Sequence, residues 1–373
     1  MNMNFLIVCG GSAGHINPAV AIAEEIRSKI PDSKILFTGA DKELEKRLIP
    51  DAGFDLINIK MSGLRRGFSP RDLRHNIKTG INLIKADRKA YRLMKQFEPD
   101  AVIGTGGYIC YPLMKKASKL KIPTFLLEPN AMPGLAVRML DSITDKIFIT
   151  YSGTEKNYKY PDRVIYTGTP LRKAFTEALT ETSEKKEKPL VISYWGSLGA
   201  PGMNEKIVDF IKLNINQKKF HHIHAAGAGR SADEIITGLN NDGITEIPSP
   251  YADIREYITD MPVLMSKADL VICRSGASTI AELAALSKPA ILIPSPNVTE
   301  NHQEENAKQA EKAGGAIMIT EKECTGEKLF YEAVSVIENT EKLEMMQKAQ
   351  SKLATADASE KIVEAIKEFL NKK

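Results

Sequence analysis

A chain of 373 residues, 43% of them apolar, is long enough for two domains that each bury an ordinary core. A formal net charge of only +4 is too weak to argue for a nucleic-acid binder, and none is expected as a partner. Cys9, Cys110, Cys273 and Cys324 show no C-x-x-C spacing and no His/Cys cluster is spaced for a metal, so reduced thiols of a cytosolic protein are expected, and no metal.

The apolar run 5–9 is too short for a signal peptide and leads straight into Gly10 and Gly11, so it reads as a first strand. No apolar stretch approaches the ~18 residues of a spanning helix, and any membrane contact is expected to be peripheral. Further strands are predicted at 34–38, 55–59, 100–104, 124–127 and 146–150, with helix-like segments between most of them. That alternation means a parallel sheet covered on both faces. A second series follows at 190–195, 220–225, 243–247, 270–273, 290–293 and 316–319. The expected class is α/β, with two Rossmann-like doubly wound halves over 1–171 and 188–355. The joining stretch 172–187 runs into the charged segment between Glu181 and Pro189, which has no apolar period. The tail 356–373 reads as an amphipathic helix with Ile362, Ala365, Ile366 and Leu370 on one face, able to cross back to the first half.

Ligands of open parallel sheets bind at the carboxyl ends of the strands, so the loops there carry the chemistry. The first is Gly10, Gly11, Ser12, Ala13, Gly14 and His15. Its glycines let backbone approach a ligand, and the next helix points free N–H groups at an anion. It is neither G-x-G-x-x-G nor a P-loop, so a nicotinamide cofactor is not expected, although Asp41 stands near the place of a ribose-binding acid. His15 opens the helix as a general base or as a capping or core histidine. Gly104-Thr-Gly-Gly-Tyr108 makes a close-approach turn in which Tyr108 can stack on a sugar or donate a hydrogen bond. After 124–127, Glu128-Pro-Asn130 precedes Pro133 and Gly134, and the Asn130 amide suits a sugar hydroxyl or acetamide. Gly168-Thr-Pro-Leu-Arg172 offers Arg172 as a phosphate clamp or as a plain surface arginine.

In the second half, Trp195-Gly-Ser-Leu-Gly199 offers Ser197 as a hydroxyl donor near a diphosphate. Tyr257 and Ile258 are placed to sandwich a base. The most informative segment is Arg274, Ser275 and Gly276 leading into a helix through Ala277, Ser278, Thr279, Ile280, Ala281 and Glu282. A helix N-terminus there holds a diphosphate. Glu282, four residues after Ser278, shares its face and can accept both ribose hydroxyls. His302 and Gln303 open another helix, where Gln303 can read a sugar hydroxyl. The absence of D-x-D argues against a metal-diphosphate glycosyltransferase. Between Lys60 and Lys95 run Arg65, Arg66, Arg71, Arg74, Lys78, Lys85, Arg88, Lys89 and Arg92, opposed only by Asp72 and Asp87. A helix capped by Ser69 with Pro70 in its first turn would carry the stripe Leu73, Ile77, Ile81 and Ile84. It suits an anionic membrane surface or a lipid diphosphate, or packing on its own domain.

In this order, these segments resemble the MurG family of bacterial N-acetylglucosaminyltransferases over nearly the whole chain. The resemblance implies a GT-B fold, with an interdomain cleft and a C-terminal helix returning to the first domain. It implies inverting transfer of GlcNAc from UDP-GlcNAc to the muramoyl sugar of lipid I, giving lipid II, at the cytoplasmic face of the membrane and with no cofactor. It places Ser197, Asn204, Ile258, Arg274, Ala277 to Glu282, His302 and Gln303 with the UDP-sugar, helped by Arg172 and Asn130. Ser12, Ala13, Gly14 and Tyr108 would line the sugar and acceptor side, with His15 as the base. The chain departs from the family pattern at Ser12, Ala13, Leu127, Pro129, Thr169 and Trp195. A GT-B enzyme with another lipid acceptor, a non-catalytic UDP-sugar binder and a sugar-nucleotide epimerase are the competing expectations.

Overall fold

The computed structural model describes residues 3–61, 69–178, 187–196, 199–227, 232–298, 301–355 and 357–372. The chain divides into two compact units, Met1–Arg172 with Thr355–Lys373, and Lys173–Ala354.

The first unit begins β1 (Asn4–Val8), α1 (Ala13–Lys29), β2 (Lys34–Gly39), α2 (Glu43–Asp51), β3 (Asp55–Asn58) and α3 (Pro70–Phe97). It continues β4 (Ala101–Gly104), α4 (Cys110–Lys119), β5 (Thr124–Glu128), α5 (Leu135–Leu140), β6 (Lys146–Ile149) and β7 (Val164–Tyr166). The strands form one parallel sheet of order β3-β2-β1-β4-β5-β6-β7. Side chains alternate between its faces as a pleated strand requires. Leu6, Val8, Val102, Leu126 and Ile147 meet α3, α4 and α5 on one face. Phe5, Ile7, Ile103, Phe125 and Phe148 meet Ile16, Ile22 and Ile26 of α1 on the other.

The second unit runs α6 (Lys173–Glu177), β8 (Leu190–Tyr194), α7 (Pro201–Gln217), β9 (His221–Ala225), α8 (Ala232–Asn241), β10 (Asp253–Arg255) and α9 (Met261–Lys267). Then come β11 (Leu270–Cys273), α10 (Ala277–Ala285), β12 (Ala290–Leu292), α11 (His302–Lys312), β13 (Ala316–Met318), α12 (Gly326–Ile337) and α13 (Thr340–Leu353). Its sheet is also parallel, in the order β10-β9-β8-β11-β12-β13. The final helix, α14 (Ala358–Asn371), lies in the first unit. There Ile362, Val363 and Ile366 are buried, the Phe369 ring meets Phe125 edge-on at 5.5 Å, and Lys29 pairs with Glu360 at 2.6 Å.

One expected strand is corrected, and two elements were not foreseen. Residues 243–247 form no strand. Ile244 N closes on Leu239 O and Gly243 sits at φ +84, so this segment finishes the turn after α8. The edge strand is β10 instead. The three-residue β7 was not foreseen, because so short an edge strand carries almost no pattern. Part of the expected joining stretch is helical: α6 packs into its unit through Phe175, as does Ala178 just after it, while 179–186 lies outside the described residues.

One core feature is polar. Ser193 Oγ lies 2.8 Å from His222 Nε2 and 2.7 Å from His224 Nδ1, and all three side chains are fully buried. Burial pushes the His224 imidazole down to about 3. Burial, and then the neighbouring His224, hold His222 well below the ordinary histidine range. Above about pH 6.5 both rings are neutral whether folded or not, and they add no pH dependence. Below it the unfolded chain binds protons that the folded chain refuses, so stability falls with pH by about 1.4 kcal/mol per unit per histidine. Urea melts from pH 7 to 5 should therefore show a slope that His222→Phe or His224→Gln each lowers by about one proton. An unchanged slope in both variants would mean that the rings ionise inside the fold.

Candidate functional site

Strand order reverses between β1 and β4 in the first sheet and between β8 and β11 in the second. Loops on either side of such a reversal turn away from each other and leave a crevice at the carboxyl ends of the strands.

In the first unit, Gly10 to Gly14 and Gly104 to Tyr108 meet at that point. Thr105 Oγ donates to His15 O at 2.7 Å. A Cβ on Gly107 would stand 2.4 Å from Gly10 O, and one on Gly106 2.5 Å from the His15 ring, so both positions require glycine; their φ values are +87 and +111. His15 is half-buried in the first turn of α1, with Nδ1 2.9 Å from Gly10 O. A carbonyl only accepts, which assigns the neutral ring's proton to Nδ1 and makes Nε2 the basic nitrogen. Ser12 precedes α1 in extended conformation and makes no side-chain cap, and the first turn holds no acid. α1 thus has neither a side-chain cap nor an acid in its own first turn to offset the positive end of its dipole.

Two buried carboxylates brace these loops. Glu45 accepts from Gly11 N at 2.9 Å through Oε1 and from Lys42 N at 3.1 Å through Oε2, and is fully buried. Glu128 takes Asn130 N at 3.0 Å, Asn130 Nδ2 at 2.8 Å and Gly134 N at 2.9 Å. The Asn130 amide therefore has its donor side held by Glu128. Tyr108 hydroxyl donates to Met61 O at 3.4 Å; burial, then the Glu45 carboxylate, push its pKa up, so it stays a donor. Cys9 and Cys110 lie close by as inert thiols, burial holding Cys110 at about 12. Arg172 is exposed, beyond Gly168, whose bare Cα packs against Thr355.

On α3, Ser69 Oγ accepts from Asp72 N at 3.1 Å and Pro70 is the first helical residue. The core contacts come from Ala86, Ala90, Leu93 and Met94. Leu73 and Ile77 stay 62% and 60% exposed, so that part of the stripe does not serve the core. Ile81 and Ile84 side chains, Lys78's, and the whole of Arg65 and Arg66 lie outside the described residues.

In the second unit, α10 starts at Ala277 after Gly276, which provides no side-chain cap, and its first turn has no acid. Ser278, Thr279, Ala281 and Glu282 are half-buried; Ala277 and Ile280 are buried, and Ile280 packs in the core. Ile258 is likewise buried, while Tyr257 beside it is exposed. Ser275 Oγ donates to Gln303 O at 2.7 Å and Gln303 Oε1 accepts from Ser295 N at 2.8 Å. The start of α11, with His302, is thereby tied to the start of α10. Asn204 is buried, its Nδ2 donating to Ala226 O at 3.2 Å. Arg274 is buried too, paired with Glu321 at 2.6 Å. Ser197 lies outside the described residues. Sequence reasoning passed over Glu45 and Glu321. Glu45 alone left a faint mark, an acid in the first turn of an amphipathic segment.

Two parallel Rossmann-like units in one chain, each with an uncapped helix at its reversal point, define the GT-B class of α/β enzyme. Residues 5–149 match the glycosyltransferase family 28 N-terminal domain, and residues 191–362 the C-terminal domain of that family. The chain is 39% identical over 376 residues to the UDP-N-acetylglucosamine--N-acetylmuramyl-(pentapeptide) pyrophosphoryl-undecaprenol N-acetylglucosamine transferase of Acetivibrio thermocellus, covering 100% of this chain and 99% of that one. Among solved structures, Acinetobacter baumannii MurG matches with a TM-score of 0.75 at 23% identity, over 98% of this chain and 99% of the other. UDP-GlcNAc 2-epimerase from Neisseria meningitidis, solved with UDP-GlcNAc, matches at 0.70 and 16%, over 98% and 100%. At those identities the two structures bear on the fold alone. The chain belongs to glycosyltransferase family 28 and, within it, to the MurG family.

Removing the Glu45 carboxylate would leave two backbone N–H groups without acceptors at the base of the first loop. Glu45→Ala should therefore cost about 2–4 kcal/mol in chemical denaturation, with faster amide exchange at Gly11. Native stability with native exchange would refute the brace.

Proposed function

We propose that the chain transfers N-acetylglucosamine from UDP-N-acetylglucosamine to the muramoyl sugar of lipid I, the undecaprenyl-diphosphate-linked N-acetylmuramoyl-pentapeptide, with inversion, releasing UDP and lipid II for peptidoglycan synthesis. The observation that carries the reading is full-length 39% identity to a relative bearing that transferase name. UDP-GlcNAc is a substrate, and neither a cofactor nor a metal is invoked.

In this reading the second unit grips the donor. Backbone N–H groups at Ala277, Ser278 and Thr279 meet the diphosphate, where the helix dipole also stabilises the charge that builds on departing UDP. Glu282 accepts the ribose hydroxyls, and Ser197, Asn204, Ile258, His302 and Gln303 shape the rest of the donor site. The first unit serves the acceptor, with Ser12 to Gly14 and Tyr108 lining it, while its Asn130 and Arg172 help with the UDP-sugar. Inversion needs one displacement at the anomeric carbon. His15 Nε2 takes the proton of the attacking hydroxyl, and Gly10 O, bonded to Nδ1–H, steadies the imidazolium that forms.

The test is transfer of labelled GlcNAc to a lipid I analogue. His15→Ala should lower kcat by roughly 10²–10⁴ with little change in the KM of UDP-GlcNAc. Glu282→Ala should raise that KM roughly 10- to 100-fold. Turnover on another lipid and none on the lipid I analogue would give the acceptor to that lipid. Isomerised UDP-GlcNAc without acceptor would make the chain an epimerase. UDP-GlcNAc binding without turnover would make it a binder.

The acceptor is a membrane lipid, and the chain is proposed to work peripherally at the cytoplasmic face. Leu73 and Ile77, one turn apart and exposed, with Arg71 and Arg74 exposed beside them, support insertion of this end of α3 into an anionic surface. Replacing both Leu73 and Ile77 by Asp should cut binding to phosphatidylglycerol vesicles by roughly tenfold or more in cosedimentation, while turnover of a soluble acceptor analogue persists. Undiminished vesicle binding would move the membrane contact elsewhere.

A further inference from the structure

Arg274 stands at the reversal point of the second sheet, where a free guanidinium would be an obvious partner for a diphosphate. Both of its terminal nitrogens are already engaged. Nη2 pairs with Glu321 Oε2 at 2.6 Å, and Nη1 donates to Ile293 O at 3.1 Å and to Pro294 O at 3.3 Å. The guanidinium carbon lies 6.0 Å from the centre of the Trp195 ring, which is itself buried. One side chain thus joins the carboxyl-end loops of β8, β11 and β12 to the loop after β13.

The far end of this connection is fixed. Glu321 sits in a turn where Glu323 N and Cys324 N both donate to Thr320 O at 3.0 Å. Its own carbonyl accepts from Lys206 Nζ of α7 at 2.5 Å. Cys324 is buried in the same core cluster as Trp195 and Met203. A buried guanidinium needs a counter-charge, and a planar fork with one carboxylate and two carbonyls in reach has a fixed direction.

We propose that Glu321 is a positioning residue for the transfer reaction: it holds Arg274 as a strut that sets the donor-binding loops, and Arg274 is not itself a ligand of the diphosphate. The diphosphate charge then falls to the N–H groups at the start of α10. The proposal rests on the reading of these loops as the donor site.

The experiment measures steady-state kinetics at a temperature well below melting, together with UDP binding followed by the fluorescence of Trp195, the single tryptophan of the chain. Glu321→Ala should raise the KM of UDP-GlcNAc roughly tenfold, with kcat changed less than about threefold and the acceptor KM unaltered. It should also shift the Trp195 emission. Glu321→Gln keeps an acceptor oxygen for the fork and should recover most of the affinity. Arg274→Met combined with Glu321→Ala should be no worse than Glu321→Ala alone, since both remove one strut. A KM within twofold of native in Glu321→Ala overturns the proposal, whether or not its melting temperature falls, and so does a large loss that only Arg274→Met produces. If Glu321→Ala does not fold, Glu321→Leu, of similar size and without an acceptor oxygen, decides: a KM raised several-fold at a temperature well below its melting supports the strut, and a native KM with native Trp195 emission overturns it. Glu282→Ala is the control for the underlying reading. If it leaves the UDP-GlcNAc KM untouched, the donor-site assignment fails; if it raises KM while Glu321→Ala does not, the strut alone fails.

Discussion

The reversal of strand order beside the first strand of each sheet is the constraint on which the rest of the molecule turns. Every strand of a parallel sheet ends on the same edge, so loops crowd there unless neighbours leave in opposite directions. That happens at β1/β4 and again at β8/β11. The two units handle the same geometry differently. The first brings backbones together by removing side chains, with Gly107 against Gly10 and Gly106 against His15. The second fills the place with two large groups, Arg274 over Trp195. One arrangement leaves backbone at the strand ends, and the other fills them with packed side chains.

A helix start that is to receive an anion must keep its N–H groups uncapped, and an uncapped start loses an ordinary source of order. Neither α1 nor α10 has a side-chain cap. Their loops are instead held from the side. Glu45 grips Gly11 from 34 residues away, Ser275 ties the approach to α10 to Gln303, and Glu128 folds the Asn130 turn back on itself. Charge-assisted bonds to backbone suit this task, because each sets both the distance and the direction of a loop. Order is thus supplied without capping the first-turn N–H groups of either helix.

Much of the fold was legible because buried parallel strands are continuous apolar runs: 5–9, 101–104 and 270–273 leave little room for another reading. Glycine at positive φ and small residues ahead of helices likewise marked the loops at the strand ends. β10 was missed because Asp-Ile-Arg has one apolar residue, while the apolar Ile244 and Ile247 nearby pack on the core from a turn. The site was legible in its loops and illegible in its braces. Nothing local to Glu45 names Gly11 as its partner, and nothing near Glu321 points to Arg274. Such pairs are products of the sheet order, which a pattern of runs does not contain. Burial also sorts residues that looked alike in sequence: Ile280 and Glu282 share a segment, yet the first is core and the second is half-buried.

The departures from the family pattern take on a different weight once their places are known. Leu127 is fully buried and packs with Phe125 and Phe148, so an apolar side chain there is a core residue. Thr169 is buried and shares a 2.7 Å hydrogen bond with Thr150, which satisfies a hydroxyl that would otherwise be stranded. Trp195 is buried under Arg274. These three changes lie beneath the loops. Core positions drift together as long as volume and hydrogen bonding are kept. Pro129 is buried too, in the turn that carries Asn130, whereas Ser12 is exposed and Ala13 half-buried at the open start of α1. If the first unit takes the acceptor as proposed, those two residues and the polar side chains around them are the ones placed to tune which acceptor it takes.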